Sequence, residues 1–258
     1  MNETTLKCSV RYDGTRFAGW QRQPEERTVQ GEIEHAFSCI ANTEVAIQGA
    51  GRTDAGVHAL GQVFSCRWPG TVPVRLAQAV SRMLAPEIRI VSVETAASSF
   101  NARFDARWKR YVYAFDFSRS PDPFSARYAW HVPYKIDQAV LEETLPMFLG
   151  AHDFSGFQSA GSQMEDTTRT IYKCELLRGG FCGPIDTGSL YRIELTGNGF
   201  LYKMVRNICG TLIEVARGRF APEFIEHALA SGGPFRGHCA PAHGLALAEI
   251  CYEDTARK

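Results

Sequence analysis

The spacing of apolar residues changes several times along the chain, and each change marks an element. TLKCSVRY (5–12) alternates apolar and polar positions as a strand does. TVQGEIEHAFSCIA (28–41) sets Val29, Ile33, Phe37 and Ile40 at helical spacing, with Thr28 at the N-cap position. VAIQGA (45–50) and QVFSCRW (62–68) read as strands flanking a glycine-studded turn. PVRLAQAVSRMLA (73–85) reads as a helix with Pro73 at its first position and Pro86 beyond its end. IRIVSVET (88–95) is a further strand. The predicted order is β-α-β-β-α-β.

The second half repeats that order. RYVYAFDF (110–117) is a strand, and DQAVLEETLPMFLG (137–150) a helix that Pro146 should kink or end. TIYKCELLR (170–178) and SLYRIELTG (189–197) are strands. GFLYKMVRNICGTLIEVARG (199–218) reads as one long helix whose apolar face runs through Leu201, Val205, Ile208, Leu212 and Val215. A short helix follows Pro222, and LALAEICYE (245–253) is the last strand. The pattern predicts an α+β protein of two tandem ferredoxin-like (RRM-like) βαββαβ halves, with antiparallel sheets and an active-site cleft between them. Residues 1–105 and 106–258 are the expected halves. No residue-level repeat links them, so the duplication is architectural. GTRFAGWQRQPEER (14–27) and QSAGSQMEDTT (158–168) read as long loops, a common place for function.

Composition narrows the class. At 45% hydrophobic and 22% charged, the 258 residues suit a globular protein with no disordered bulk. MNETTLKCSV is polar with no apolar core of a secretion signal, and no apolar run reaches bilayer length. A cytoplasmic protein without a membrane segment is expected. Of the eight cysteines the nearest two, Cys174 and Cys182, form no C-x-x-C, so reduced thiols are expected. Net charge is zero, yet 22 arginines stand against six lysines. Arginine suits phosphate and stacking contacts, though its abundance also follows genome composition.

The turn GAGRTDAGVHALGQV (49–63) holds the candidate chemistry. Gly51 and Gly56 have phosphate-loop spacing, but Val57-His58 follows where Lys-Ser/Thr belongs. The third glycine of a dinucleotide fingerprint is misplaced. Asp54 and His58 would be two metal ligands where three or four are needed, and His238, Cys239 and His243 are the other gathering. No metal is therefore expected. TDAG occurs once, so an aspartic-protease dyad is absent. The bland reading is a strand connection in which Asp54 bonds its own backbone and His58 is a structural histidine.

The order of neighbouring residues adds more. GAGRTDAGVHALGQV resembles the signature of the tRNA pseudouridine synthase A family. YDGTRFAGWQRQ (12–23), RTVQGEIEHA (27–36), FNARFDARWKRYVY (100–113), HDFSGF (152–157), RTI (169–171), GNGFLYKMVRNICGTLIEVARGR (197–219) and APAHGLALAEICYE (240–253) resemble its further blocks, in its order. The resemblance covers nearly the whole chain.

It implies isomerisation of uridine to pseudouridine at positions 38, 39 and 40 of the tRNA anticodon stem-loop, with no metal and no organic cofactor. Asp54 would be the catalytic carboxylate, Arg206 its ion-pair partner and Tyr111 the residue stacking on the uracil. Burial alone would raise the pKa of such a carboxylate, and a guanidinium beside it favours the charged form. Removing one partner of a buried pair costs roughly 3–5 kcal/mol. Arg52, His58 and Tyr111, with the strip Arg103, Arg107, Lys109 and Arg110, are the expected RNA contacts. The implied partners are tRNA and a second copy of the chain in a homodimer. Two other readings stand: an inactive RNA-binding module on the same fold, and a metal-dependent hydrolase using Asp54 and His58.

Overall fold

The computed structural model describes residues 3–161, 166–182 and 188–253. The chain forms two compact units, one reaching to Arg107 and taking the chain up again at Leu247, the other running from Trp108 to Ala246. The class is mixed α+β.

The first unit contains β1 (Glu3–Tyr12), α1 (Val29–Ala41), β2 (Ile47–Gly49), β3 (His58–Pro69), α2 (Leu76–Leu84) and β4 (Ile88–Thr95). β1 is antiparallel to both β3 and β4, with Cys8 opposite Phe64 on one side and Val93 on the other. β2 extends the ladder beyond β3, Gln48 facing Ser65. Leu6, Cys8, Val10 and Tyr12 are all buried, as the alternation in β1 requires. α1 buries Val29, Ile33 and Phe37, and α2 buries Leu76, Val80 and Leu84. Phe37 meets Phe64 and Trp68 edge-on, at 5.5 and 6.0 Å between ring centres. The Thr28 hydroxyl accepts the Gly31 N–H at 3.2 Å and fixes the start of α1.

The second unit contains β5 (Trp108–Asp116), β6 (Trp130–His131), α3 (Gln138–Thr144), β7 (Gly150–Asp153), β8 (Thr168–Arg178), β9 (Leu190–Gly197), α4 (Met204–Ala216) and α5 (Glu223–Ser231). β9 lies between β5 and β8, antiparallel to both, so Leu195 faces Tyr111 on one side and Cys174 on the other. β7 adds to the outer edge of β8. Every residue of α4 except Arg206 is buried. The last strand, β10 (Leu245–Cys251), neighbours β3, and from Leu247 it counts with the first unit.

Two helix starts depart from the expectation, and one helix ends as its proline requires. α2 begins at Leu76 because Pro73 spends its carbonyl on a turn, accepting the Leu76 N–H at 3.0 Å. Pro146 ends α3 at Thr144, and the chain tightens into a 3-10 turn over Leu145–Phe148. The long helix expected from Gly199 begins only at Met204, since Lys203 takes a left-handed conformation at φ 58°. Leu201 and Tyr202 therefore precede the helix. β6 and β7 are too short to show a period and were not expected.

Within α4, Gly210 lets the helix approach the 238–240 loop. A Cβ there would stand 1.7 Å from the His238 carbonyl oxygen. Gly210→Ala should lower the free energy of unfolding by about 1–3 kcal/mol, read from urea denaturation. Unchanged stability would show that this approach is not constrained.

Candidate functional site

In the first unit the site is built on the connection between β2 and β3. Ala50 N–H bonds the Val63 carbonyl at 2.8 Å, and the Gln62 side chain donates to the Gly51 carbonyl at 2.8 Å. These bonds hold the two ends of the turn. Thr53 is buried, its hydroxyl 2.8 Å from that of Tyr12 and its carbonyl accepting the Trp20 N–H at 3.0 Å. Burial pushes the Tyr12 phenol up, so it stays protonated. The Asp54 carbonyl accepts the Val57 N–H at 3.1 Å, closing a tight turn through Ala55 and Gly56. Gly56 sits at φ 77°, a value that excludes most side chains. The Asp54 carboxylate emerges half-buried at the apex, and Arg52 is exposed beside it.

The loop after β1 backs this turn. A Cβ on Gly14 would lie 2.0 Å from the Val57 carbonyl oxygen, so only glycine lets the two backbones meet. The Gly14 N–H donates to His58 Nδ1 at 3.1 Å, and Asp13 Oδ1 lies 3.2 Å from the same nitrogen. His58 is 2% exposed and opens β3. Its ring positions the loop. The loop is tied at its far side by Asp13 N–H to the Glu87 carbonyl at 2.9 Å and by Arg27 to the Glu87 carboxylate at 2.8 Å. The Arg27 bond holds the Glu87 carboxyl below its ordinary range.

In the second unit, Tyr111 is 8% exposed on β5, with its ring 5.0 Å from Phe200 in an edge-on contact. Tyr113, on the same face, is core: its hydroxyl donates to the Pro241 carbonyl at 2.7 Å, and burial pushes its pKa well up against the opposing charge of Arg206. Arg206 is the third residue of α4. A cation at a helix N-terminus opposes the macrodipole. The loop before β10 compensates: Arg206 Nε donates to the Ala240 carbonyl at 2.8 Å, and Ala240 N–H returns to the Arg206 carbonyl at 3.1 Å. His243 in that loop has its pKa lowered by burial, with the Arg206 charge adding to the shift and a bond to the Ala129 backbone opposing it. The 157–159 segment braces the same helix turn, since Asn207 donates to the Phe157 carbonyl at 2.8 Å and the Ser159 hydroxyl at 3.1 Å. Residues 162–165 of the long loop lie outside the described residues.

The basic strip does not form one row. Lys109 and Arg110 are consecutive on β5 and point to opposite faces. Arg110 lies 3.9 Å from Glu194, which also pairs with Arg192 at 2.8 Å. Arg103 and Arg107 are exposed in the first unit. Sequence reasoning missed Asp13, Gly14 and Ala240, whose signal was the Gly- and Pro-rich makeup of their loops. Among the described residues, no group of three or more His, Cys, Asp or Glu side chains is placed to hold a metal. Among them also, no helix is long and apolar enough to cross a membrane.

The family described as tRNA pseudouridine synthase matches residues 9–105 and 145–253 of this chain. Over 253 residues the chain is 37% identical to tRNA pseudouridine synthase A of Bacillus licheniformis and 40% identical to that of Bacillus pumilus, covering 96% of this chain and 99% of each relative. It is 39% identical over 251 residues to tRNA pseudouridine synthase A of Streptococcus mutans, covering 96% of this chain and 98% of that one. A solved structure, an archaeal box H/ACA sRNP Nop10-Cbf5 complex, overlays at a TM-score of 0.29 with 14% identity, covering 94% of this chain and 45% of that one. So slight an overlap leaves the fold to be read from this chain itself.

His243 has a depressed folded pKa, so its contribution to stability is full above the ordinary histidine value of about 6.5 and is lost as pH falls through the folded value. His243→Gln should flatten the fall of unfolding free energy in that acid range, and an unchanged slope would contradict the burial argument.

Proposed function

We infer the function from descent: this chain belongs to the tRNA pseudouridine synthase family, and it is an isomerase that converts uridine to pseudouridine. Its substrate in this reading is tRNA, at positions 38, 39 and 40 of the anticodon stem-loop, with two copies of the chain engaging one RNA in the cytoplasm. The reaction breaks the N1–C1′ bond, turns the uracil and joins C5 to C1′; the C5 hydrogen leaves to water and N1 gains a proton. No metal or organic cofactor enters this balance.

Asp54 is assigned as the catalytic carboxylate. The observation that carries the assignment is its place: the single acid at the apex of a turn held by backbone bonds at Thr53, Gly56 and Val57, next to small residues that let a nucleotide approach. Tyr111 is assigned to stack on the target uracil and Arg206 to keep the carboxylate ionised. The fixed guanidinium of Arg206 supports that role, because a preorganised charge does not have to reorganise during the reaction. Arg52, Arg103, Arg107 and Lys109 are assigned to the RNA backbone. A base inside a folded RNA must be flipped out, at a cost of a few kcal/mol that stacking and phosphate contacts offset. We read the two units as tandem ferredoxin-like halves, supported by the β4-β1-β3-β2 order of the first and by β9 lying between β5 and β8 in the second.

Mapping of pseudouridine in tRNA transcripts should show conversion at positions 38, 39 and 40 by the wild type. Asp54→Asn should lower the rate on the order of a thousandfold or more while binding tRNA with nearly unchanged affinity. Conversion at the normal rate by that variant would sink the assignment of Asp54. Binding by the wild type without conversion would favour an inactive RNA-binding module.

A further inference from the structure

The segment joining β4 to the second unit carries an exposed ring on a backbone tied by several hydrogen bonds. Asn101 Oδ1 accepts the N–H groups of Arg103 at 2.9 Å and Phe104 at 3.2 Å. Asp105 closes the loop on Asn101 twice: its carboxylate accepts the Asn101 N–H at 2.9 Å, and its own N–H donates to the Asn101 carbonyl at 3.1 Å. Ala102 pins the loop from below. It is fully buried, its N–H donates to the Ser65 hydroxyl at 3.1 Å, and its carbonyl accepts the Tyr252 hydroxyl at 2.8 Å. Phe100 packs on Tyr252 with 5.2 Å between ring centres, and the Lys7 ammonium lies 4.7 Å from the Tyr252 ring. Arg107 N–H bonds the Cys251 carbonyl at 2.8 Å. All of these anchors lie in the first unit.

On that platform Phe104 is 76% exposed. The Arg103 guanidinium carbon lies 5.4 Å from the centre of its ring, and Arg103 and Arg107 are themselves exposed. A single exposed apolar residue is ordinary on a protein surface. An aromatic ring presented on a hydrogen-bonded loop beside a guanidinium group has a more specific chemistry: a ring for a base to stack on, and a cation for a phosphate that flanks it. A second copy of the chain fits poorly there, because one ring among charged residues lacks the apolar core of a protein interface.

We propose that Phe104, with Arg103 beside it, is a stacking platform for an unpaired base of the RNA substrate, separate from the residues assigned to the reaction. The proposal rests on the tRNA reading given above. The loop is preorganised, so stacking pays little ordering entropy beyond that of the base.

The test compares wild type with Phe104→Trp, Phe104→Leu and Phe104→Ala. For each, tRNA affinity is measured at fixed ionic strength, pseudouridine formation on the same RNA, thermal stability, and oligomeric state by sedimentation. Phe104→Trp should bind as well as wild type. Phe104→Leu and Phe104→Ala should bind about tenfold to a hundredfold more weakly, with stability and oligomeric state unchanged. Arg103→Gln should lower the slope of log affinity against log salt by about one. Wild-type affinity in Phe104→Leu would overturn the proposal, since leucine keeps the apolar bulk and loses the ring face. A change of oligomeric state without loss of RNA affinity would overturn it in favour of a protein contact. The wild type separates the two levels: if it neither binds nor converts tRNA, the family reading itself fails, whereas an active wild type matched by Phe104→Leu refutes only the platform.

Discussion

The site in the first unit depends on one close approach, that of the loop after β1 to the turn before β3. Gly14 leaves room for the Val57 carbonyl, His58 takes the Gly14 N–H on Nδ1, and Trp20 N–H bonds the Thr53 carbonyl. The half-buried Asp54 is therefore placed by its neighbours' backbone bonds. Such placement matters for a reacting carboxylate, because a group already held in position needs no ordering during the reaction. It also explains the composition of the turn: Thr53 serves the core, Ala55 and Gly56 keep the apex narrow, and Arg52 is left at the surface.

The second unit handles a different difficulty. α4 begins with Arg206 in its first turn and with Lys203 in a left-handed conformation at its N-cap, and both choices work against an isolated helix. The reciprocal bonds between Arg206 and Ala240, together with Asn207 reaching Phe157 and Ser159, make that start stable in context. Local rules broken at one place and compensated nearby are what a functional site is expected to show.

This contrast tells what was legible in the sequence. Elements governed by local signals were read closely: Thr28 caps α1 where the motif put it, β4 spans the residues expected, and Pro146 ends α3. Elements governed by distant contacts were not. Nothing local to Gly199–Lys203 says that the helix waits until Met204, because the bonds that set its start come from loops about 35 and 50 residues away. A structural His58 was legible, but its partners, Asp13 and Gly14, were not, since they lie more than 40 residues before it. The even mixture of arginines in 103–110 suggested one basic strip, and only the pleat of β5 with the Glu194 pairing divides it. The turn itself was legible because its chemistry is carried by consecutive residues.

The central claim is that the turn at Asp54 serves the exchange of a C–N for a C–C bond at uridine. It is tested most directly with tRNA transcripts tritiated at uridine C5, incubated with the wild-type protein in the presence of a chelator. The account predicts tritium released to water in step with pseudouridine formed. Bound tRNA with no release, or release that the chelator abolishes, would contradict it.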